Sequence, residues 1–210
     1  MVRIDIWSDV ACPWCYVGKR NLEAALVEID LEAEIHWRAF ELDPSSPATV
    51  VGTLDEVLAA KYGMGLEQAR AMNAQMTETA RAAGLEYHLD RVQLGSSFDA
   101  HRLAKLAEAR GRGAAAAERL FAAHFTEGRR ISDPDTLLEI GLEIGLDEAE
   151  VRQMLESTVF TDQVRRDEAD AQEAGITGVP TFVIDGRFAI PGAQSVETMA
   201  RLLRRVTEDV

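Results

Sequence analysis

A chain of 210 residues, 47% hydrophobic and 28% charged, is long enough to bury one well-formed core and to carry an inserted subdomain. Its formal net charge of −14 repels nucleic-acid phosphates and anionic lipid, which argues against partners that need a basic surface. Charges interrupt every apolar run before the roughly 18 to 20 residues that cross a bilayer, and MVRIDIWSDV lacks an apolar signal region and a small-residue cleavage site, so a cytoplasmic location is expected.

In chain order, VRIDIWSDV alternates Val2, Ile4 and Ile6 with Arg3 and Asp5, the period of a half-buried strand. Pro13 follows at a position suited to the first turn of a helix, and Val17, Leu22, Leu26 and Ile29 continue it at helical spacing. EIHWRAFEL returns to strand character, so a strand, helix, strand crossover closes by about residue 42. From about 53 to 174 the pattern is almost continuously helical. Six amphipathic stretches, most ending near glycine, predict a helical subdomain, with LEYHLDRVQLGSS as an irregular or extended link between the second and third. DQVRRDEADAQEAG then reads as a polar-faced helix. TFVI and RFAI, joined by Asp185-Gly186, predict a hairpin, and SVETMARLLRRV closes the chain as a helix capped by Ser195.

The only two cysteines stand in SDVACPWCYVGKR, separated by Pro13 and Trp14. Three readings compete. A zinc site needs about four ligands and CxxC supplies two, while His36, His88, His101 and His124 are scattered, so no metal is expected. Two buried core cysteines would not account for a helix start between and around them. A redox pair does: at a helix N-terminus unpaired N–H groups and the helix dipole favour a thiolate, which predicts Cys12 as the more acidic and exposed thiol. Cys15, one turn into the helix, then faces back and can attack a mixed disulfide on Cys12.

The order CPWC after a first strand, a helical insertion containing FDAHRL, and GITGVPTFVI before a terminal hairpin resembles the DsbA family of thioredoxin-fold proteins, in particular its FrnE-like branch. The resemblance covers essentially the whole chain and implies an α/β fold, thioredoxin-like with a large all-helical insertion. Residues 1–52 and 161–210 would form the thioredoxin-like domain and 53–160 the insertion. It further implies a thiol–disulfide oxidoreductase of disulfide isomerase type. Cys12 would be the attacking thiol, Cys15 the resolving thiol and Pro180 a cis-proline whose turn leaves the Val179 backbone free to pair with an extended substrate. Thioredoxin's cysteine has a pKa of about 7 and that of DsbA about 3.5. Trp14 offers no cation to the thiolate, so a less extreme oxidant than DsbA is expected.

His101 has two readings, a hydrogen-bonded core or interface residue, or a side chain that faces Cys12 and lends charge to the thiolate or contacts substrate. Ser97 and Asp99 read as caps of its helix. Trp7, Trp14, Tyr16 and Phe40 are candidates for the wall around the cysteines. Val179, Pro180, Trp14 and His101 are therefore the candidate substrate-binding residues. The expected partners are a protein or small-molecule thiol or disulfide, with glutathione or another low-molecular-weight thiol as an alternative. No cofactor, nucleic acid or membrane is implied, and the oligomeric state is not legible. Two other functions share the fold pattern. One is a glutathione-dependent transferase or isomerase related to kappa-class glutathione transferases and 2-hydroxychromene-2-carboxylate isomerases, which commonly carry serine at the Cys12 position. The other is a non-enzymatic peptide-binding or chaperone-like module.

Overall fold

The computed structural model describes residues 1–208. Strand β1 (Val2–Ser8) lies parallel to β2 (Ala33–Ala39) across the helix α1 (Pro13–Glu28), and antiparallel to β3 (Thr181–Ile184), which pairs in turn with β4 (Phe188–Pro191). The sheet order is β2-β1-β3-β4. Asp185 and Gly186 both take positive φ, 48° and 65°, the backbone that a two-residue hairpin turn demands.

The alternation in β1 sorts its side chains between two layers. Ile4 and Ile6, at most 1% exposed, pack with Leu22 and Ala25 of α1, Phe182 of β3, and Met199 and Leu203 of α9 (Val196–Glu208). Asp5 and Trp7 face the other way. There the Trp7 indole Nε1 donates to the Asp167 carbonyl of α8 (Thr161–Glu173) at 2.8 Å, and Asp5 accepts from Arg38 of β2 at 2.8 Å. The Ser195 hydroxyl caps α9, accepting from the Thr198 N–H at 3.2 Å.

Between β2 and α8 run α2 (Leu54–Tyr62), α3 (Leu66–Ala82), α4 (Phe98–Ala109), α5 (Gly113–Phe125), α6 (Pro134–Glu143) and α7 (Glu148–Leu155). Their starts follow local chemistry. Thr53 and Glu56 form a reciprocal capping box on α2, and Asp133 and Asp147 cap α6 and α7 through side-chain oxygens. Helices α4 to α7 enclose a core of their own around Leu103, Leu120, Ile131, Leu137, Ile140 and Val151, all buried. Val10, from the loop between β1 and α1, inserts into that core rather than into the core under the sheet.

The segment from 85 to 96 is the irregular link expected between α3 and α4, and it also packs. Leu85, Tyr87, Leu89 and Val92 are buried in one cluster with Cys12, Cys15, Tyr16, Met76, Phe121 and Phe125. The segment forms neither helix nor strand because its backbone follows the surface of α1 and α5; His88 N–H donates to the Phe125 carbonyl at 2.8 Å. Its alternating apolar residues, read as extended chain, are what packs.

Gly18 is the point where α1 meets the loop before β3. A Cβ there would stand 2.9 Å from Pro180 Cγ and 3.2 Å from Phe182 Cζ. Overpacking costs about 1–3 kcal/mol, against about 1 kcal/mol gained from helix propensity, so Gly18→Ala is expected to lose on the order of 1 kcal/mol net. Thermal unfolding should register this as a melting temperature lower by about 2–4 °C. A variant at least as stable as the parent would show that α1 and the loop can part without cost.

Candidate active site

Cys12 is the N-cap of α1, with extended backbone at φ −94° and ψ 113°, and Pro13 opens the first turn. Cys15 lies one turn on, its N–H donating to the Cys12 carbonyl at 3.0 Å. Both thiols are free. The Cys12 Sγ sits 3.7 Å from the Val179 carbonyl, within reach of a weak S–H donation, and the Val179–Pro180 peptide bond is cis. The proline loop and the CxxC turn therefore face each other directly.

Cys12 is 4% exposed and Cys15 1%. The exposed attacking thiol expected from helix position alone is thus corrected: Cys12 is buried, because Val179 and the 85–92 segment pack into the same cluster. The Tyr87 hydroxyl donates to the Pro13 carbonyl at 2.7 Å, which ties this segment to the CxxC backbone itself. Burial, reinforced by the nearby Cys12, pushes the Tyr87 phenol above its ordinary range. Burial likewise pushes the Cys15 thiol well up, and the adjacent Cys12 adds to it.

Asp9 governs the approach to α1. Its carbonyl accepts the Cys12 N–H at 3.0 Å, its Oδ1 accepts the Ala11 N–H at 3.1 Å, and its Oδ2 accepts the Leu42 N–H at 2.7 Å. The carboxylate is 2% exposed. Burial alone would raise its pKa, but His101 and these donors hold it below the ordinary range. His101 of α4 is 5% exposed and its Nε2 lies 3.4 Å from Asp9 Oδ1, an ion-pair distance without an aligned hydrogen bond. Ser97 stands at the N-cap position of α4 but its side chain makes no cap hydrogen bond, a correction to its expected role.

Of the other expected residues, Trp14 is 47% exposed beside Cys12, whereas Trp7 is turned away and bonded to α8. Trp37, not Trp7, packs against the cysteine cluster. Tyr16 stacks on Phe121 of α5 with ring centroids 5.0 Å apart, and its hydroxyl donates to Glu118 at 2.6 Å. The same Glu118 carboxylate takes Lys19 Nζ at 2.6 Å and an Arg20 guanidinium, so α5 grips the outer turns of α1. Sequence reasoning missed Asp9, Tyr87 and Glu118. Asp9 had one signal, its place three residues before Cys12; Glu118 had none.

His124 of α5 is 2% exposed, and burial pushes it down to about 4. Its folded value lies below the unfolded one near 6.5, so below pH 6.5 the unfolded chain binds the proton first and stability falls as pH drops from about 6.5 to about 4. That shift corresponds to roughly 3 kcal/mol. Denaturant unfolding at pH 7 and near pH 4 should show His124→Gln losing less stability than the parent across this interval by about that amount. Equal losses would place the acid sensitivity elsewhere.

A model of the DSBA-like thioredoxin domain matches residues 3–204. The uncharacterized protein YwbO of Bacillus subtilis is 32% identical over 207 residues, 96% of each chain. The crystal structure of the probable DsbA oxidoreductase SCO1869 of Streptomyces coelicolor superposes with a TM-score of 0.95 at 40% identity, over 100% of this chain and 92% of that one. The cytosolic disulfide reductase DsbM of Pseudomonas aeruginosa shares the fold, with a TM-score of 0.70 at 22% identity over 99% and 100% of the two chains. A family match across nearly the whole chain, around a CxxC helix that faces a proline loop, identifies this protein as a member of the DSBA-like thioredoxin domain family.

Proposed function

We propose that this protein is a thiol–disulfide oxidoreductase in which Cys12 attacks and Cys15 resolves. The observation that carries the reading is the placement of Cys12 at the N-cap of α1, against the Val179 carbonyl, with Cys15 one turn deeper and less exposed. Helix N–H groups and the dipole favour a thiolate at that end. In this reading residues 1–52 and 161–210 form the thioredoxin-like unit that performs exchange, and 53–160 the inserted unit that limits access to it.

A substrate disulfide meets the Cys12 thiolate, whose sulfur bonds to one substrate sulfur while the other leaves as a thiolate and takes a proton from water. Cys15 then attacks the Cys12 sulfur of the mixed disulfide. The Cys12–Cys15 bond forms, the second substrate sulfur leaves, and the substrate has gained two electrons that the enzyme dithiol has lost. The reverse sequence oxidises a dithiol. Substrate lies along the backbone of Val179 beside Pro180, with the exposed Trp14 ring as an apolar contact. A peptide or small-molecule disulfide fits this chemistry, and no cofactor is invoked.

Retention of Cys15 beside Cys12 favours exchange over glutathione transfer, which needs at most one thiol. Cys15→Ser is expected to accumulate a mixed disulfide on Cys12 after mixing with a disulfide peptide, and Cys12→Ser to lose exchange altogether. Intact-mass measurement with peptide mapping reads both, with glutathione disulfide in a parallel arm to rank it against the peptide. Adducts on Cys15 alone in the Cys12→Ser variant would reverse the roles. Turnover that survives loss of Cys15 would favour the transferase reading, and binding that needs neither thiol would favour a peptide-binding module.

A further inference from the structure

A dithiol and its disulfide can exchange in either direction, and the side on which the pair rests depends on how far the protein stabilises the reduced sulfurs as thiolates. DsbA is a strong oxidant because its reduced form is stabilised, and thioredoxin, a reductant, lies about 10⁵-fold away in the same equilibrium. What surrounds Cys12 therefore bears on the direction of exchange.

The surroundings supply acceptors rather than donors. Cys12 is the N-cap of α1, yet its side chain takes no capping hydrogen bond from the helix N–H groups. Its own N–H is spent on the Asp9 carbonyl and the Cys15 N–H on the Cys12 carbonyl, each at 3.0 Å. The Val179 carbonyl oxygen stands 3.7 Å from the Cys12 sulfur, where it can accept from an S–H and would repel a thiolate. Asp9, three residues before Cys12, adds a carboxylate that is 2% exposed.

The cations of the elements packed around this turn are engaged elsewhere. Helix α1 carries Lys19 and Arg20, and both close on Glu23 and Glu118. Lys105 of α4 stands on Asp167, Arg102 on Asp99, and Arg38 of β2 on Asp5 and Asp167. His101 lies against Asp9 and so answers that carboxylate rather than a sulfur. His124, from α5, is held neutral by burial. The proline loop from Gly175 to Pro180 carries no charged residue. Cys12 and Cys15 are 4% and 1% exposed, so water does little to screen these contacts.

We propose that the Cys12–Cys15 pair works as a disulfide reductase centre, its disulfide form favoured because neither a hydrogen-bond donor nor a cation meets the Cys12 sulfur. The reduced pair gives two electrons and two protons to a substrate disulfide, whose S–S bond breaks to two thiols while the Cys12–Cys15 bond forms. Two molecules of a low-molecular-weight monothiol reopen that bond. The first joins Cys12 as a mixed disulfide and releases Cys15; the second attacks the first, releases Cys12 and leaves with it as a symmetric disulfide. A less stabilised thiolate is also the stronger nucleophile, an advantage to a thiol that must open substrate disulfides. The lack of a cation at Trp14 alone points to an oxidant weaker than DsbA; the Val179 carbonyl and the committed N–H groups carry the pair to the reducing side.

This direction rests on the thiol–disulfide reading, and one equilibration separates the two. Reduced protein is mixed with oxidised thioredoxin, quenched in acid at equilibrium and alkylated, and intact masses give the four species. The constant for passing two electrons from the protein to thioredoxin should exceed about 10⁻², against roughly 10⁻⁵ for DsbA in the same mixture. A smaller constant overturns the direction and leaves the thiol–disulfide reading standing. Trp14→Lys puts an ammonium on the exposed first turn beside Cys12 and should lower the constant about tenfold, by stabilising the reduced form. An unchanged constant in that variant overturns the assigned cause and the proposal with it. A parent protein whose Cys12 and Cys15 stay unpaired in excess diamide overturns the thiol–disulfide reading and the direction together.

Discussion

The site depends on a buried carboxylate in the turn between β1 and α1. Asp9 fixes three backbone N–H groups from two chain segments and faces His101 from a third. A charge this deep is tolerable only when donors surround it, and removing one partner from such a pair costs several kcal/mol because the other is left buried and alone. The turn that delivers Cys12 to the N-cap is thus determined by a contact with the insertion. Val10, the next residue, reinforces it by filling the insertion's apolar core. One short turn is held at once by charge and by packing.

A second carboxylate does for the sheet what Asp9 does for the turn. Asp167 of α8 accepts from the Ala39 N–H at 2.9 Å and from Arg38 at 2.9 Å, and pairs with Lys105 of α4 at 2.6 Å. With the Trp7 indole on its own carbonyl, this residue joins β1, β2, α4 and α8. Replacing such a network by apolar groups can stabilise a protein, so its presence argues for specificity of arrangement more than for stability. Here the arrangement it fixes is the distance between the sheet edge and α4, and hence the small cavity beside Ser8 and His101.

The helical insertion is consequently part of the site and not an appendage to it. Its 85–92 segment covers the cysteines, Tyr87 bonds the Pro13 carbonyl, Glu118 holds Tyr16 and Lys19, and His101 stands behind Asp9. Beside the cysteines, the Val179 carbonyl faces Cys12 and the Trp14 ring stays exposed.

The sequence by itself determined the element types and the placement of the CxxC pair at a helix start. Alternation in Val2 to Ile6, proline at a helix start, Asp185-Gly186 between β-rich runs and aspartates before apolar stretches are local signals, and local backbone preference is what they report. The CPWC spacing at a helix start pointed to the proposed chemistry for the same reason, since the stabilisation of a thiolate there would come from the helix's own N–H groups. Only the tertiary structure decided that Cys12 is buried, that the 85–92 segment packs against it, that Ser97 leaves its helix uncapped, that Glu118 grips α1 and that His124 is buried. Each of these depends on which residues, roughly 30 to 170 positions apart, share one desolvated volume. Burial and charge pairing act through that volume and leave no period in the chain from which they could be read.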